Sequence, residues 1–161
     1  MNFQYLESPI GTLRLVSNGA RLTRIEFEGQ HSEDESREAG DAVLKACAAQ
    51  LQEYFRGTRR HFDLPLGARG TSFQQSVWNV LADIPYGELR SYRDIARSIG
   101  NPAAVRAVGA ANGRNPLPIV VPCHRVIGSN GTLTGFAGGL PAKKFLLELE
   151  GVLAAASTSG S

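Results

Sequence analysis

Apolar and polar residues alternate over the first 28 positions, and "FQYLESPIGTLRLVSNGARLTRIEFEG" breaks at Ser8-Pro9-Ile10-Gly11 and again at Asn18-Gly19. Period-two alternation punctuated by turn residues predicts three short strands. A charged loop, "HSEDESREAG", leads into a stretch where Val43, Cys47, Leu51 and Phe55 recur at helical spacing, which predicts a helix around 38–56. A strand near Asp63–Leu66 and the linker "LGARG" follow. The pattern therefore predicts an N-terminal α/β domain over 1–68, a small antiparallel sheet plus a helix.

Beyond the linker the spacing turns mostly helical, predicting an α-helical domain over 69–152. Thr71 or Ser72 can cap a helix carrying Phe73, Val77, Trp78 and Leu81, which must stop before Pro85. Ser91 with Asp94 three residues on is an acidic capping box for "SYRDIARSIG", and Gly100 ends that helix. Asn101 then reads as the cap of the next helix, with Pro102 at its first position. Two short helices joined by a three-residue turn make a helix-turn-helix candidate, with a plain helical hairpin as the commoner explanation of the pattern. The second helix is almost all small (Ala103, Ala104, Ala107, Gly109, Ala110, Ala111), with Arg106 as its only long charged side chain. A major-groove reader usually carries several polar probes, so this helix suits a shallow or narrow surface better. Residues 153–161 read as a flexible tail.

Composition narrows the class. With 42% hydrophobic and 20% charged residues in a chain of 161, the protein is expected to be globular. No run approaches the ~20 apolar residues of a membrane span. The start, "MNFQYLESPIG", lacks a basic-then-apolar leader, so a soluble cytoplasmic protein without membrane partners is expected. Two cysteines, Cys47 and Cys123, and the scattered His31, His61 and His124 show no metal-ligand spacing. Cys47 falls on the apolar stripe of its helix and reads as a small core hydrophobe. Residues 90–125 hold six arginines against one carboxylate, Asp94, a local excess suited to a polyanion and equally to a solvated face.

The stretch that looks made for chemistry is "PIVVPCHRVIGSNG". Pro122 cannot continue a ladder, so Cys123 is expected where a buried strand, Leu117–Val121, ends. His124 is adjacent, but neighbours in a strand point to opposite faces. A free thiol is a few per cent ionised at neutral pH, so full ionisation gains at most roughly 30-fold. A reaction at Cys123 must depend mainly on positioning and on leaving-group stabilisation. The glycine-rich "GSNGTLTGFAGGL" that follows can form a pocket loop.

"PIVVPCHRVIGSNG" with "TGFAGGLPAKKFLLELEG" closely resembles the O6-alkylguanine-DNA alkyltransferase family, and "SVWNVLADIPYGELRSYRDIA" and "NPAAVRAVGAANGRNPLP" match it in order and spacing. The likeness is strong over about 71–152 and looser before, through "SPIGTLRLV" and "LQEYFRG". It implies a ribonuclease-H-like N-terminal domain and a monomeric, suicidal DNA repair protein that needs no cofactor and no metal. Cys123 would take the alkyl group of O6-alkylguanine irreversibly, with O4-alkylthymine a second candidate substrate. His124 would reach Cys123 through a water, oriented by Glu150, and Tyr92 would donate to the leaving base. The main chain at Cys123 and Val126 would accept from the guanine amine. Ala137 N–H would face O6 beside Phe136 and Gly138, and Asn115 would brace the bend before the cysteine. On duplex DNA, bound through the minor groove, Arg106 would fill the stack left by the flipped base. Ala104 and Ala107 would line that groove, and Arg114 and Arg125 would contact DNA. Many relatives carry a tyrosine where this chain has Phe136.

Three other readings stand beside this one. Alkyltransferase-like proteins bind damaged DNA without repairing it, but they lack the cysteine retained here. A helix-turn-helix regulator would need a better reading helix and a dimerisation segment. A thiol hydrolase has only the Cys123–His124 pair to recommend it.

Overall fold

The computed structural model describes residues 1–153, so the tail expectation for 153–161 lies, apart from Leu153, outside the described residues. The chain divides into two compact units, Met1–Arg69 and the part beginning at Gly70. Among the described residues, no helix is long and apolar enough to cross a membrane.

In the first unit the three expected strands form as β1 (Asn2–Ser8), β2 (Gly11–Ser17) and β3 (Leu22–Glu26). A two-residue strand that the pattern gave no sign of, β4 (Arg37–Glu38), pairs parallel to β1, so the sheet is mixed in the order β3-β2-β1-β4. Helix α1 (Ala42–Phe55) begins later than the spacing suggested, because 37–38 is taken by β4 and the Asp41 carboxylate caps Leu44 N–H. Leu13 and Leu15 of β2 are fully buried, and α1 contributes Leu44, Cys47, Leu51 and Tyr54 to the same core. Phe55 is only half-buried and Tyr54 takes its place inside. Steps of four residues advance about 40° past a full turn, so three of them carry a side chain off the stripe. The expected strand at 63–66 shrinks to one bridge, Leu22 to Leu66, since Pro65 has no N–H to offer a ladder. Arg14, 2% exposed, lies over the Phe3 ring and ties Glu26 (2.7 Å) to Asp34 (2.9 Å), closing the 28–36 loop over the other face of the sheet.

The second unit opens with α2 (Ser72–Ala82), capped by Thr71 in a full capping box with Gln74. Val77, Trp78 and Leu81 are its buried face, and the Trp78 indole donates to Ala111 O at 2.9 Å. β5 (Arg90–Ser91) runs directly into α3 (Tyr92–Ser98), whose Ser91–Asp94 box forms as the spacing indicated. The next helix, α4 (Val105–Gly113), starts three residues later than expected, and Asn101 does not cap it. Residues 101–104 instead close a turn, with Ala104 N–H on Asn101 O at 3.0 Å. Proline's fixed φ serves the second position of a β-turn as well as the first position of a helix, so the Asn-Pro signal could not tell them apart. The connection from α3 to α4 is therefore 99–104, not three residues.

The expected strand Leu117–Val121 is also absent. Val121 N–H turns back onto Leu117 O (2.8 Å), and Ile119 sits at φ 74°. For a β-branched residue that left-handed geometry costs on the order of 1–3 kcal/mol, held here by the burial of Leu117 and Ile119. A 3₁₀ turn, Cys123–Arg125, follows, then β6 (Val126–Ile127) and, after a long loop, α5 (Leu140–Leu149).

Candidate active site

One register brings the site together. β5 and β6 pair parallel, Arg90 opposite Val126 and Ser91 opposite Ile127. Tyr92 is the residue after β5 and Cys123–Arg125 are the residues before β6, so a two-residue sheet fixes both segments side by side. Asn115 holds the approach: its amide donates to Val121 O (2.8 Å) and its carbonyl oxygen accepts from Leu117 N–H (3.0 Å).

Behind the cysteine lies a buried charged group. Glu150, the C-cap of α5, has a fully buried side chain and accepts from four donors. His124 Nε2 reaches Oε2 at 2.6 Å, Arg125 Nε reaches Oε1 at 2.8 Å, Arg125 Nη2 reaches Oε2 at 3.0 Å, and Gly87 N–H reaches Oε1 at 3.1 Å. Burial holds the His124 imidazole below its ordinary pKa, against the pull of Glu150, so the ring is neutral at pH 7. A neutral ring that donates from Nε2 carries its lone pair on Nδ1. That Nδ1 is buried and has no hydrogen-bond partner among the described residues. Nδ1 is thus the ring nitrogen able to accept a proton.

Cys123 is 5% exposed. Burial pushes its thiol up to about 11, while the Asn115 amide and the Lys143 ammonium pull the other way. The resting pair is therefore a neutral thiol and a neutral imidazole. At neutral pH such a thiol becomes a thiolate only by passing its proton to an acceptor.

Lys143 is the residue that sequence reasoning missed. It is fully buried, its Nζ donating to Val126 O at 2.6 Å and to Thr134 O at 3.2 Å. A signal was available: Ala142, Lys143, Leu146, Leu147 and Glu150 fall on one stripe of α5, so the first lysine of "PAKKF" had to face inward. The Val126 carbonyl expected to meet the guanine amine thus already serves Lys143, although a carbonyl has a second lone pair to give.

Arg125 requires a correction. It was expected on DNA, but it is 5% exposed, with Nη1 on Ile84 O at 2.6 Å and the rest of the fork on Glu150. The 3₁₀ turn rolls it under the surface, where it neutralises the glutamate. Arg90 is likewise engaged, by Glu88 at 3.1 Å. Of the six arginines that made the segment look basic, Arg93, Arg97, Arg106 and Arg114 remain exposed.

Helix α4 buries Val108, Ala111 and Asn112 and turns Arg106, Ala107 and Ala110 outward, with Arg114 at its C-cap. Ala104 is the half-buried N-cap residue rather than part of the helix. Phe136 and Gly138 are half-buried and Ala137 is exposed on the loop before α5, where Gly139 at φ 91° makes the turn into the helix. A cleft of about 430 Å³ opens between α3, the start of α4 and this loop, lined by Tyr92, Arg93, Val105, Asn130, Thr132 and Thr134. Cys123, His124 and Glu150 do not line it; they lie beneath the surface.

A buried thiol with a carboxylate-oriented imidazole, carried on a small helical unit after an α/β unit, defines a thiol-centred two-part protein. Residues 72–152 match the family described as 6-O-methylguanine DNA methyltransferase, DNA binding domain, and residues 1–68 match the ribonuclease-like domain of the same proteins. The chain belongs to the 6-O-methylguanine DNA methyltransferase family. It is 48% identical over 154 residues to the methylated-DNA–protein-cysteine methyltransferase of Methanosarcina acetivorans, covering 94% of this chain and 99% of that one. The constitutive enzyme of Bacillus subtilis is 49% identical over 153 residues, covering 89% and 92%. Among solved structures, Mycobacterium tuberculosis OGT in complex with DNA superposes with a TM-score of 0.88 at 47% identity, covering 94% of this chain and 93% of that one.

Proposed function

We propose that this protein repairs O6-alkylguanine in DNA by direct reversal, moving the alkyl group to Cys123 in a single turnover. The observation that carries the reading is the Glu150–His124 bond at 2.6 Å, which leaves Nδ1 of the residue after Cys123 without a partner among the described residues. The thiol proton passes through a bridging water to His124 Nδ1 as sulfur attacks the alkyl carbon. The carbon–oxygen bond breaks, the product is an S-alkylcysteine, and the leaving guanine takes a proton from Tyr92. Glu150 and Arg125 keep the imidazole in the tautomer that accepts. Because the thioether is stable, Cys123 is a consumed reactant, and the protein acts as a monomer without cofactor.

In this reading α3 and α4 form the helix-turn-helix, and the small outer face of α4 enters the minor groove. Arg106 stands in for a nucleotide rotated out of the duplex, and Phe136, Ala137 and Gly138 close around the flipped base. Arg114 meets phosphate, and Arg125 has no part in binding DNA. The cysteine itself weighs against a non-enzymatic lesion binder.

Two experiments test the reading. Flipping costs a few kcal/mol, so Arg106→Ala should slow single-turnover transfer from a methylated duplex roughly 10- to 100-fold and leave reaction with free O6-methylguanine base nearly unchanged. Equal losses on both substrates would remove the flipping role. The pH profile separates a resident base from a free thiolate. Between the lowered pKa of His124 and the thiol value of about 11, proton transfer within the pair makes the rate independent of pH. The rate should be flat from about pH 7 to 9 and fall only below 6.5, the ordinary histidine value, as Nδ1 is protonated. A tenfold rise for each pH unit across that range would mean that His124 is not the base.

A further inference from the structure

Tyr92 does not meet the cleft alone. Its hydroxyl lies 2.7 Å from Thr134 Oγ1, and both residues line the same opening, from α3 and from the loop before α5. Thr134 is fixed from the other side as well: its carbonyl accepts from the buried Lys143 ammonium, which also holds Val126 O. The hydroxyl is therefore aimed at Tyr92 by a main chain that cannot easily shift.

A threonine hydroxyl has one proton to give, and so has a phenol. When a base enters and the Tyr92 proton turns to it, the hydrogen bond between the two side chains persists only if Thr134 is the donor. A phenol that accepts one hydrogen bond while donating another is the stronger donor, because the charge left on its oxygen is shared. We infer that Thr134 is a positioning residue for the transfer reaction. It holds the Tyr92 hydroxyl in the cleft and donates to it as the tyrosine gives its proton to the departing guanine. The inference rests on the reading of Tyr92 as the group that meets the leaving base. It adds a second hydroxyl, on a different segment, to the leaving-group side of the site.

The test is a double-mutant cycle in single-turnover methyl transfer from an O6-methylguanine duplex, with DNA affinity measured in parallel. Losing one neutral hydrogen bond should make Thr134→Val roughly three- to tenfold slower at unchanged DNA affinity. Thr134→Ser, which restores the hydroxyl, should recover most of the rate. In a Tyr92→Phe background, Thr134→Val should cost nothing further. A loop that merely supports the fold would lose as much in either background and would not separate serine from valine. The inference is overturned if Thr134→Val transfers at the full rate, or if its loss is undiminished in Tyr92→Phe. If Tyr92→Phe alone transfers at the full rate, the reading of Tyr92 fails first and the role of Thr134 falls with it. A slow Tyr92→Phe beside a fast Thr134→Val removes Thr134 alone.

Discussion

Glu150→Gln should cost the C-terminal unit roughly 3–5 kcal/mol of stability and, separately, most of its chemistry. The carboxylate is the counter-charge of Arg125, which is 5% exposed, so the substitution leaves a guanidinium buried without compensation. Trp78, the one tryptophan of the chain, reports this unit, and its fluorescence should place the unfolding midpoint more than about 10 °C below that of the parent. Adding Arg125→Met removes the stranded charge and should recover much of that stability, as replacing a buried ion pair by packed apolar groups usually does. Transfer should not recover with it. Without the carboxylate nothing stabilises the imidazolium that forms, and the loss should be about 100-fold or more, the usual worth of a positioned base. A double variant that is both stable and fast would show that Glu150 is structural only.

How far the sequence led can be judged at particular residues. Strands β1 to β3, the caps Thr71 and Ser91, and the inward face of α2 were legible, because each follows from a local rule of period or capping that tertiary contacts did not oppose. Three local signals misled where proline or a long-range contact decided. Asn101-Pro102 made a turn in place of a helix start. Pro118 and Pro122 bracketed a tight turn where an apolar run suggested a strand. Arg125, polar and next to His124, looked like surface until Glu150 was found beneath it. The pairing of β5 with β6, which puts Tyr92 beside the cysteine segment, involves two residues on each side and leaves no periodic trace. The stripe of α5 already turns Lys143 inward, but its role and that of Thr134 are set by which carbonyl or hydroxyl the fold brings opposite them.

Cys123→Ala should abolish transfer altogether while leaving duplex binding in place. The effect is complete because no other thiol can substitute. Cys47 is fully buried in the core of the first unit, and burial pushes it up to about 12. Cys123→Ser should be equally inert. A hydroxyl is a much poorer nucleophile than a thiol toward an alkyl carbon. Both variants should remain folded, since a small side chain at a site bounded by main-chain turns removes little packing. An alanine variant that still removed methyl groups from DNA would place the acceptor elsewhere.

The most direct measurement is the mass of the intact protein after incubation with a duplex carrying O6-methylguanine, followed by the mass of the peptide containing Cys123. One added methyl group per molecule, on Cys123, reached at one equivalent of lesion and not exceeded, is the predicted result. Repair beyond one equivalent, or binding of the damaged duplex with no change in mass, would contradict the account.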